Sequence, residues 1–244
     1  MSGHSKWHNI QRAKGAQDAK RANAFTKVSR EIIVAVKEGG SGDVSNNARL
    51  AAAVAKAKAV NMPNDNIKRT IEKALGFGSG DNYERVTYEG YGPGGVAVIV
   101  DAMTDNRNRT AAEIRHLFDK YGGNMGAAGC VSWSFQRKGV IIVDNEDGSH
   151  DEDGVFNDAI EAGADDIETD GDVFEVYTAP DDFAAVSGSL ENAGYKFLSA
   201  QVEMIPQSNI ALTGADDIKN MEKMLDLMED NDDVQNVWHN YERS

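Results

Sequence analysis

Asn106-Arg107-Asn108-Arg109 sets two guanidinium groups beside two side-chain amides. A guanidinium is a planar fork of donors that matches phosphate oxygens. Asparagine adds donors and acceptors suited to phosphate, ribose or base edges. The four residues separate an apolar run with strand character from a segment with helical spacing, so they would hold an anion where a helix start leaves backbone amides unpaired. The alternative is that both arginines pair with carboxylates of the same chain and brace its domains. A second cationic set lies near the N-terminus: Lys6, Arg12, Lys14, Lys20, Arg21, Lys27 and Arg30, with Trp7 and His8 among them. Lysine and arginine contact phosphates with little regard to base sequence, and aromatic rings can stack on bases. The two sets together point to a nucleic-acid surface.

Other patterns point away from chemistry. Gly90-Tyr91-Gly92-Pro93-Gly94-Gly95 has the letters of a dinucleotide-binding turn, but strand-like Val96–Val100 follows where such a site needs a helix. A tight hairpin connection fits it better. His4 and His8 share a helical spacing without a third ligand nearby, and the acidic run 144–148 lacks the spacing of a calcium loop. Cys130 sits in a Gly/Ala-rich stretch with no histidine close by, as a small buried residue would. No nucleophile–base set, phosphate loop or metalloprotease motif can be assembled, so the expectation is a protein that is not an enzyme and uses no metal, cofactor or small-molecule substrate.

The charge distribution supports the nucleic-acid surface. The chain of 244 residues has a net charge of −15, yet residues 1–76 carry 14 Lys+Arg against 6 Asp+Glu, and residues 77–244 carry 11 against 34. Such asymmetry is a sign of a nucleic-acid-binding or membrane-binding segment. A basic bundle docking on the acidic body of its own chain is the competing explanation. A single cysteine, a polar N-terminus without a signal-peptide pattern and no run of about 20 apolar residues point to the cytoplasm and away from membranes.

These residues need elements to position them. Phe25, Val28, Ile32 and Val36 recur at helical spacing over 20–37, with Lys20, Lys27, Arg30 and Lys37 expected on the opposite side. A helix over 46–60 and a third, with Asn64 as its N-cap, bearing Ile67, Ile71 and Leu75 and stopped by Gly76, complete a three-helix domain over 1–76. Strands are expected at 85–89, 96–103 and 131–135, with a helix over 110–121 opened by a Thr110/Glu113 capping box. Residues 139–204 read as β-α-β-β-α-β, a ferredoxin-like unit. A strand near Ile210, a helix over 215–228 and a strand over 234–238 follow. The flanks 82–136 and 206–244 combine into a second such set, a discontinuous domain interrupted by the 139–204 insert. The fold class is therefore α+β, with a helical N-terminal domain and two ferredoxin-like α/β domains.

Three stretches carry a family likeness: Gly3-His4-Ser5-Lys6-Trp7 with Ala16-Gln17-Asp18-Ala19-Lys20-Arg21 and Phe25-Thr26-Lys27; Lys56-Ala57-Lys58-Ala59 through Asn61-Met62-Pro63; and Tyr88-Glu89-Gly90-Tyr91-Gly92-Pro93-Gly94-Gly95 with Thr104-Asp105-Asn106-Arg107-Asn108-Arg109-Thr110. Across essentially its whole length the chain resembles the YebC family, relatives of the mitochondrial translational activator of cytochrome oxidase subunit I. The resemblance implies three domains with the middle one discontinuous, a cytoplasmic location, no cofactor and a role as a DNA-binding transcriptional regulator. Family members are also linked to translation, which implies ribosome association and relief of stalling at consecutive prolines as the alternative. His8, Gln11-Arg12 and Ala22-Asn23-Ala24 depart from the family's denser basic pattern and thin the positive charge. A monomer is the expected state.

Overall fold

The computed structural model describes residues 17–76 and 82–242, with side chains from residue 22 onward. Among these, residues 132–209 form one compact unit, and residues 17–131 with 210–242 form another.

The second unit opens with helix α1 (Gln17–Gly39), followed by α2 (Ala48–Ala59) and α3 (Asn64–Leu75). The apolar stripe Val28, Ile32 and Val36 packs on Leu50, Ala53, Val54 and Ala57 of α2 and on Ile67 and Ala74 of α3. Buried Asn47 sets the turn between α1 and α2. Its Oδ1 accepts from the Leu50 amide at 3.0 Å, and its Nδ2 donates to the Ala35 carbonyl at 2.8 Å, so one side chain caps α2 and tethers it to α1. At α3 the cap differs from the sequence reading. Pro63 holds the cap position, where no side chain caps the helix, and Asn64 is the first helical residue.

Strands β1 (Glu84–Tyr91) and β2 (Ala97–Thr104) form an antiparallel hairpin with Tyr91 opposite Ala97. The connection folds as a tight turn because Gly94 and Gly95 take φ of +64° and +81°, and a β-carbon on Gly94 would stand 2.3 Å from Leu212. Helix α4 (Arg107–Lys120) and the short strand β3 (Asn124–Met125) follow. After the insert come β8 (Ile210–Ala211), α7 (Ala215–Glu229), β9 (Val234–His239) and β10 (Tyr241–Glu242). The sheet order is β3-β1-β2-β9, so the two separated pieces meet where β2 pairs with β9. Ile114 and Phe118 of α4 and Met221, Met224 and Met228 of α7 share a core with Val86, Val98 and Val100 of the sheet. The strand beside β2 is β1, from before it in the chain, and residues 124–125 supply the far edge. Residues 131–135, expected as a strand here, instead hold a 3₁₀ turn over Ser132–Ser134 and the first residue of β4.

The other unit contains β4 (Phe135–Asp144), α5 (Glu152–Ala162), β5 (Asp166–Asp170), β6 (Val173–Thr178), α6 (Phe183–Asn192) and β7 (Phe197–Pro206). The order β5-β6-β4-β7, antiparallel throughout, is the ferredoxin-like arrangement. Both helices lie on one face: Val155 and Ala159 of α5 and Val186 and Leu190 of α6 pack on Ile141, Val143, Phe174 and Val176. At the base of this unit Phe135 pairs with Pro206, and the Gln207 amide donates to the Ser134 carbonyl at 2.9 Å. The fold is α+β, a three-helix N-terminal part followed by two α/β parts. Among the described residues no helix is long and apolar enough to cross a membrane.

Candidate nucleic-acid interface

The cap of helix α4 lies four residues earlier than its capping-box signature suggests. Asn106 is the cap, with extended backbone and Oδ1 accepting from the Arg109 amide at 3.1 Å. Arg107, Asn108 and Arg109 therefore form the first helical turn rather than a loop before it. Thr110 is freed for another task. Its hydroxyl lies 2.6 Å from Asp233 Oδ2 and 2.8 Å from Thr104 Oγ1, wholly buried.

Asp233 is the centre of a buried network at the start of β9. Its carboxylate accepts from Arg30 Nη1 at 2.5 Å, from Arg109 Nη2 at 2.9 Å and from the Thr110 hydroxyl. Its backbone carbonyl accepts from the Met103 amide at 2.7 Å. Burial alone would raise the Asp233 carboxyl, but the bonds from Arg109, Thr110 and Arg30 outweigh it and bring the group down to about 2. Arg30 also donates to the Met103 carbonyl at 3.0 Å and lies 5.1 Å from the Tyr83 ring centroid. Arg109 also bonds Asp105, and its two carboxylate partners hold its guanidinium more firmly charged than usual.

One turn before Arg30 on α1, Lys27 Nζ donates to the Glu229 carbonyl at 2.6 Å, and a further turn back Asn23 Nδ2 donates to the Asp230 carbonyl at 2.8 Å. Both acceptors lie at the C-terminal end of α7, where unpaired carbonyls and the helix dipole favour a cation. Burial lowers the pKa of Lys27, and Glu229, Asp230 and Asp232 only partly counter it.

The expected contact residues therefore separate. Lys27 and Arg30 are engaged inside the fold, and Arg109, though exposed, is paired with Asp105 and Asp233, as the bracing alternative has it. The side of α1 opposite its apolar stripe was expected to face solvent, but at Lys27 and Arg30 it meets the acidic end of α7 and the start of β9. Arg107 is exposed, and among the described residues no hydrogen-bond or ion-pair partner holds its guanidinium; Asn106 and Asn108 are exposed beside it. Lys6, Trp7, His8, Arg12 and Lys14 lie outside the described residues. Lys20 and Arg21 fall within α1, with side chains outside the description. Sequence reasoning missed Lys58, Arg69 and Arg115, three exposed cations of the same unit. The helical spacing of α2, α3 and α4 carried that signal, because each lies off its helix's buried face. Asp233 was also missed. It ends the acidic run 229–233, which reads as a solvated stretch, and Arg30 is 203 residues away.

The remaining candidates are structural. Cys130 is half-buried, and burial together with Glu89 pushes its thiol up, away from the reactive thiolate. Glu89 accepts from the Gly129 and Val131 amides at 2.8 and 2.9 Å and so holds the loop around that cysteine. In the 144–148 run Asp144 and Asp147 accept from the amides of Glu146 and Ser149 in local turns.

Two family descriptions match the chain: the TACO1/YebC protein N-terminal domain over residues 5–76, and the TACO1/YebC second and third domain over residues 83–241. The chain belongs to the TACO1/YebC family. A TACO1/YebC relative named as a probable transcriptional regulatory protein in Geobacillus kaustophilus is 54% identical over all of this chain and 98% of its own length. Another of that name, from Acetivibrio thermocellus, is 53% identical over 99% of each chain. A crystal structure of a conserved hypothetical protein from Aquifex aeolicus superposes with a TM-score of 0.83 at 43% identity, covering 93% of this chain and 92% of its own.

Proposed function

We propose that this chain is a nucleic-acid-binding regulator of gene expression, acting as a DNA-binding transcriptional regulator without catalytic activity. The observation that carries the reading is Arg107. It lies exposed in the first turn of α4, where the Asn106 side chain takes the amide of Arg109 and the first amides of the helix have no intrahelical partner. Lys58, Arg69 and Arg115 add exposed positive charge on the same unit, and residues 1–76 carry the excess of Lys+Arg over Asp+Glu. The names of the TACO1/YebC relatives agree with regulation of transcription.

The contact chemistry is directed at phosphates, so affinity should fall steeply with salt and depend weakly on sequence. Phosphate contacts of this kind also suit folded RNA, which makes a ribosome-bound translation factor the second reading. Gel shifts on promoter DNA over a salt series test the first. Arg107→Ala and Arg69→Ala should each lower the salt slope by about 1 while leaving the fold intact. Co-sedimentation with ribosomes at physiological salt, without retention on DNA, would move the assignment to RNA. Binding to neither would overturn both.

A further inference from the structure

The negative charge of the chain is concentrated in one place. Residues 132–209 hold 18 Asp+Glu against 3 Lys+Arg, and the rest of the chain holds 22 of each, so the net −15 of the whole molecule is the charge of this unit. Its three cations, Arg137, Lys138 and Lys196, lie on β4 or immediately before β7. Helix α5 has none.

Val155 and Ala159 of α5 face the core. Side chains four residues apart follow one another along a helix flank, about 6 Å from one to the next. Glu152, Phe156 and Ile160 make one such row, and Asp153, Asn157 and Glu161 make the next. The Thr169 hydroxyl donates to Glu152 at 2.9 Å, which sets the first row on the β5 side of the helix. Every residue of both rows is exposed, Phe156 to 49% and Ile160 to 44%. A lone apolar side chain in water is ordinary, but here two stand one turn apart inside a border of carboxylates. Asp165 and Asp166, both exposed, extend that border past the helix. Glu161 lies in the last turn, where the helix dipole disfavours negative charge, and no lysine or arginine of α5 offsets it. This end of the helix attracts cations, and its middle attracts apolar side chains.

We infer that this face of α5 docks a cationic amphipathic helix of another protein, one with apolar side chains a turn apart and lysine or arginine on either side of them. Charge selects this occupant. Nucleic acid would meet like charge here, and two copies of the chain, each of net −15, repel one another at long range. A helix fits because its own ridge of side chains four residues apart repeats at the spacing of Phe156 and Ile160. Its flanking cations would then stand opposite Glu152, Asp153 and Glu161. The docking does not rest on the nucleic-acid reading, whose residues lie in the other unit.

The test uses the full chain and a fluorescent, helix-forming synthetic peptide of lysine, alanine and leucine with all its leucines on one face. A second peptide of the same composition disperses the leucines around the helix. Anisotropy titrations should show the one-faced peptide bound about tenfold more tightly than the dispersed one, a difference of roughly 1.4 kcal/mol. The double variant Phe156→Ser/Ile160→Ser should abolish that preference while its thermal midpoint holds, since both side chains are exposed. Asn157→Arg puts a cation beside the apolar pair and leaves the pair itself intact, so it should weaken both peptides even if the serine variant fails to fold. Equal affinity of the parent chain for the two peptides would reduce the attraction to diffuse charge and overturn the dock. A preference that survives in a folded serine variant, or binding that Asn157→Arg leaves unchanged, would place the contact elsewhere and overturn it too. A dimer of the parent chain in sedimentation equilibrium that the serine variant loses would give the face to a second copy instead.

Discussion

Arg107 and Arg109 are two residues apart on the same helical turn, in surroundings with little in common. Arg109 reaches across to Asp233, which Arg30 approaches from α1, and the three side chains join the helical part to the discontinuous α/β part. Arg107 meets solvent. The region around Asp233 spends its charge on holding the unit together, and the region around Arg107 leaves its charge in solvent. The lesson is that a count of cations does not measure a binding surface. What decides is whether a carboxylate lies within the fold to meet each one.

The strongest way to break the comparison is Asp233→Ala. It leaves the Arg30 guanidinium, only 13% exposed, without its carboxylate, and should destabilise the protein by about 3–5 kcal/mol in urea unfolding. A loss under 1 kcal/mol would show that the network is not a structural centre. Acid comes next. The Asp233 carboxyl is held at about 2 in the folded state, against roughly 3.9 unfolded. A depressed carboxyl stabilises above its unfolded pKa and loses that contribution as pH falls through the folded value. About 2 kcal/mol should therefore disappear between roughly pH 5 and 2, and Asp233→Asn should flatten that part of the profile.

Arg109→Ala should cost about 1 kcal/mol or less, because the arginine is 44% exposed and water can replace part of what it gives up. Lys27→Met should cost a similar or smaller amount in thermal unfolding, since relief of the buried charge offsets the lost bond to Glu229. The smallest stability effect belongs to Arg107→Ala, within about 0.5 kcal/mol of the parent, although the same substitution should weaken nucleic-acid binding. If Arg107→Ala destabilised as much as Arg109→Ala, the division between the two regions would collapse.

Much of this architecture was legible from periodicity. The insert declared itself through alternating strands and two amphipathic helices, in the order β-α-β-β-α-β that the structure shows. The stripe of α1 was equally plain, because Val28, Ile32 and Val36 repeat at helical spacing and are buried as that spacing requires. What escaped depends on distant partners. Thr110 with Glu113 has the spacing of a capping box, but Asn106 outcompetes it by capping one turn earlier, and the Thr110 hydroxyl serves Asp233 instead. Residues 131–135 are apolar enough for a strand, yet the sheet takes its edge from Asn124 and Met125, where Gly90 lets the backbones approach: a β-carbon on it would stand 2.5 Å from the Asn124 carbonyl oxygen. Of the candidate site, the sequence marks Asn106–Arg109 but not the different surroundings of its two arginines, because the periodicity of α1 places Lys27 and Arg30 without revealing what they face.

The hydrogen bond between Ser134 and Gln207 has an architectural consequence. The polypeptide enters and leaves the 132–209 unit through neighbouring strands whose ends are already zipped together. Excising that unit and bridging residue 134 to residue 207 with a short turn would ask little of loop-closure entropy. The two ends of the 132–209 unit thus leave it side by side, and a short bridge could join them.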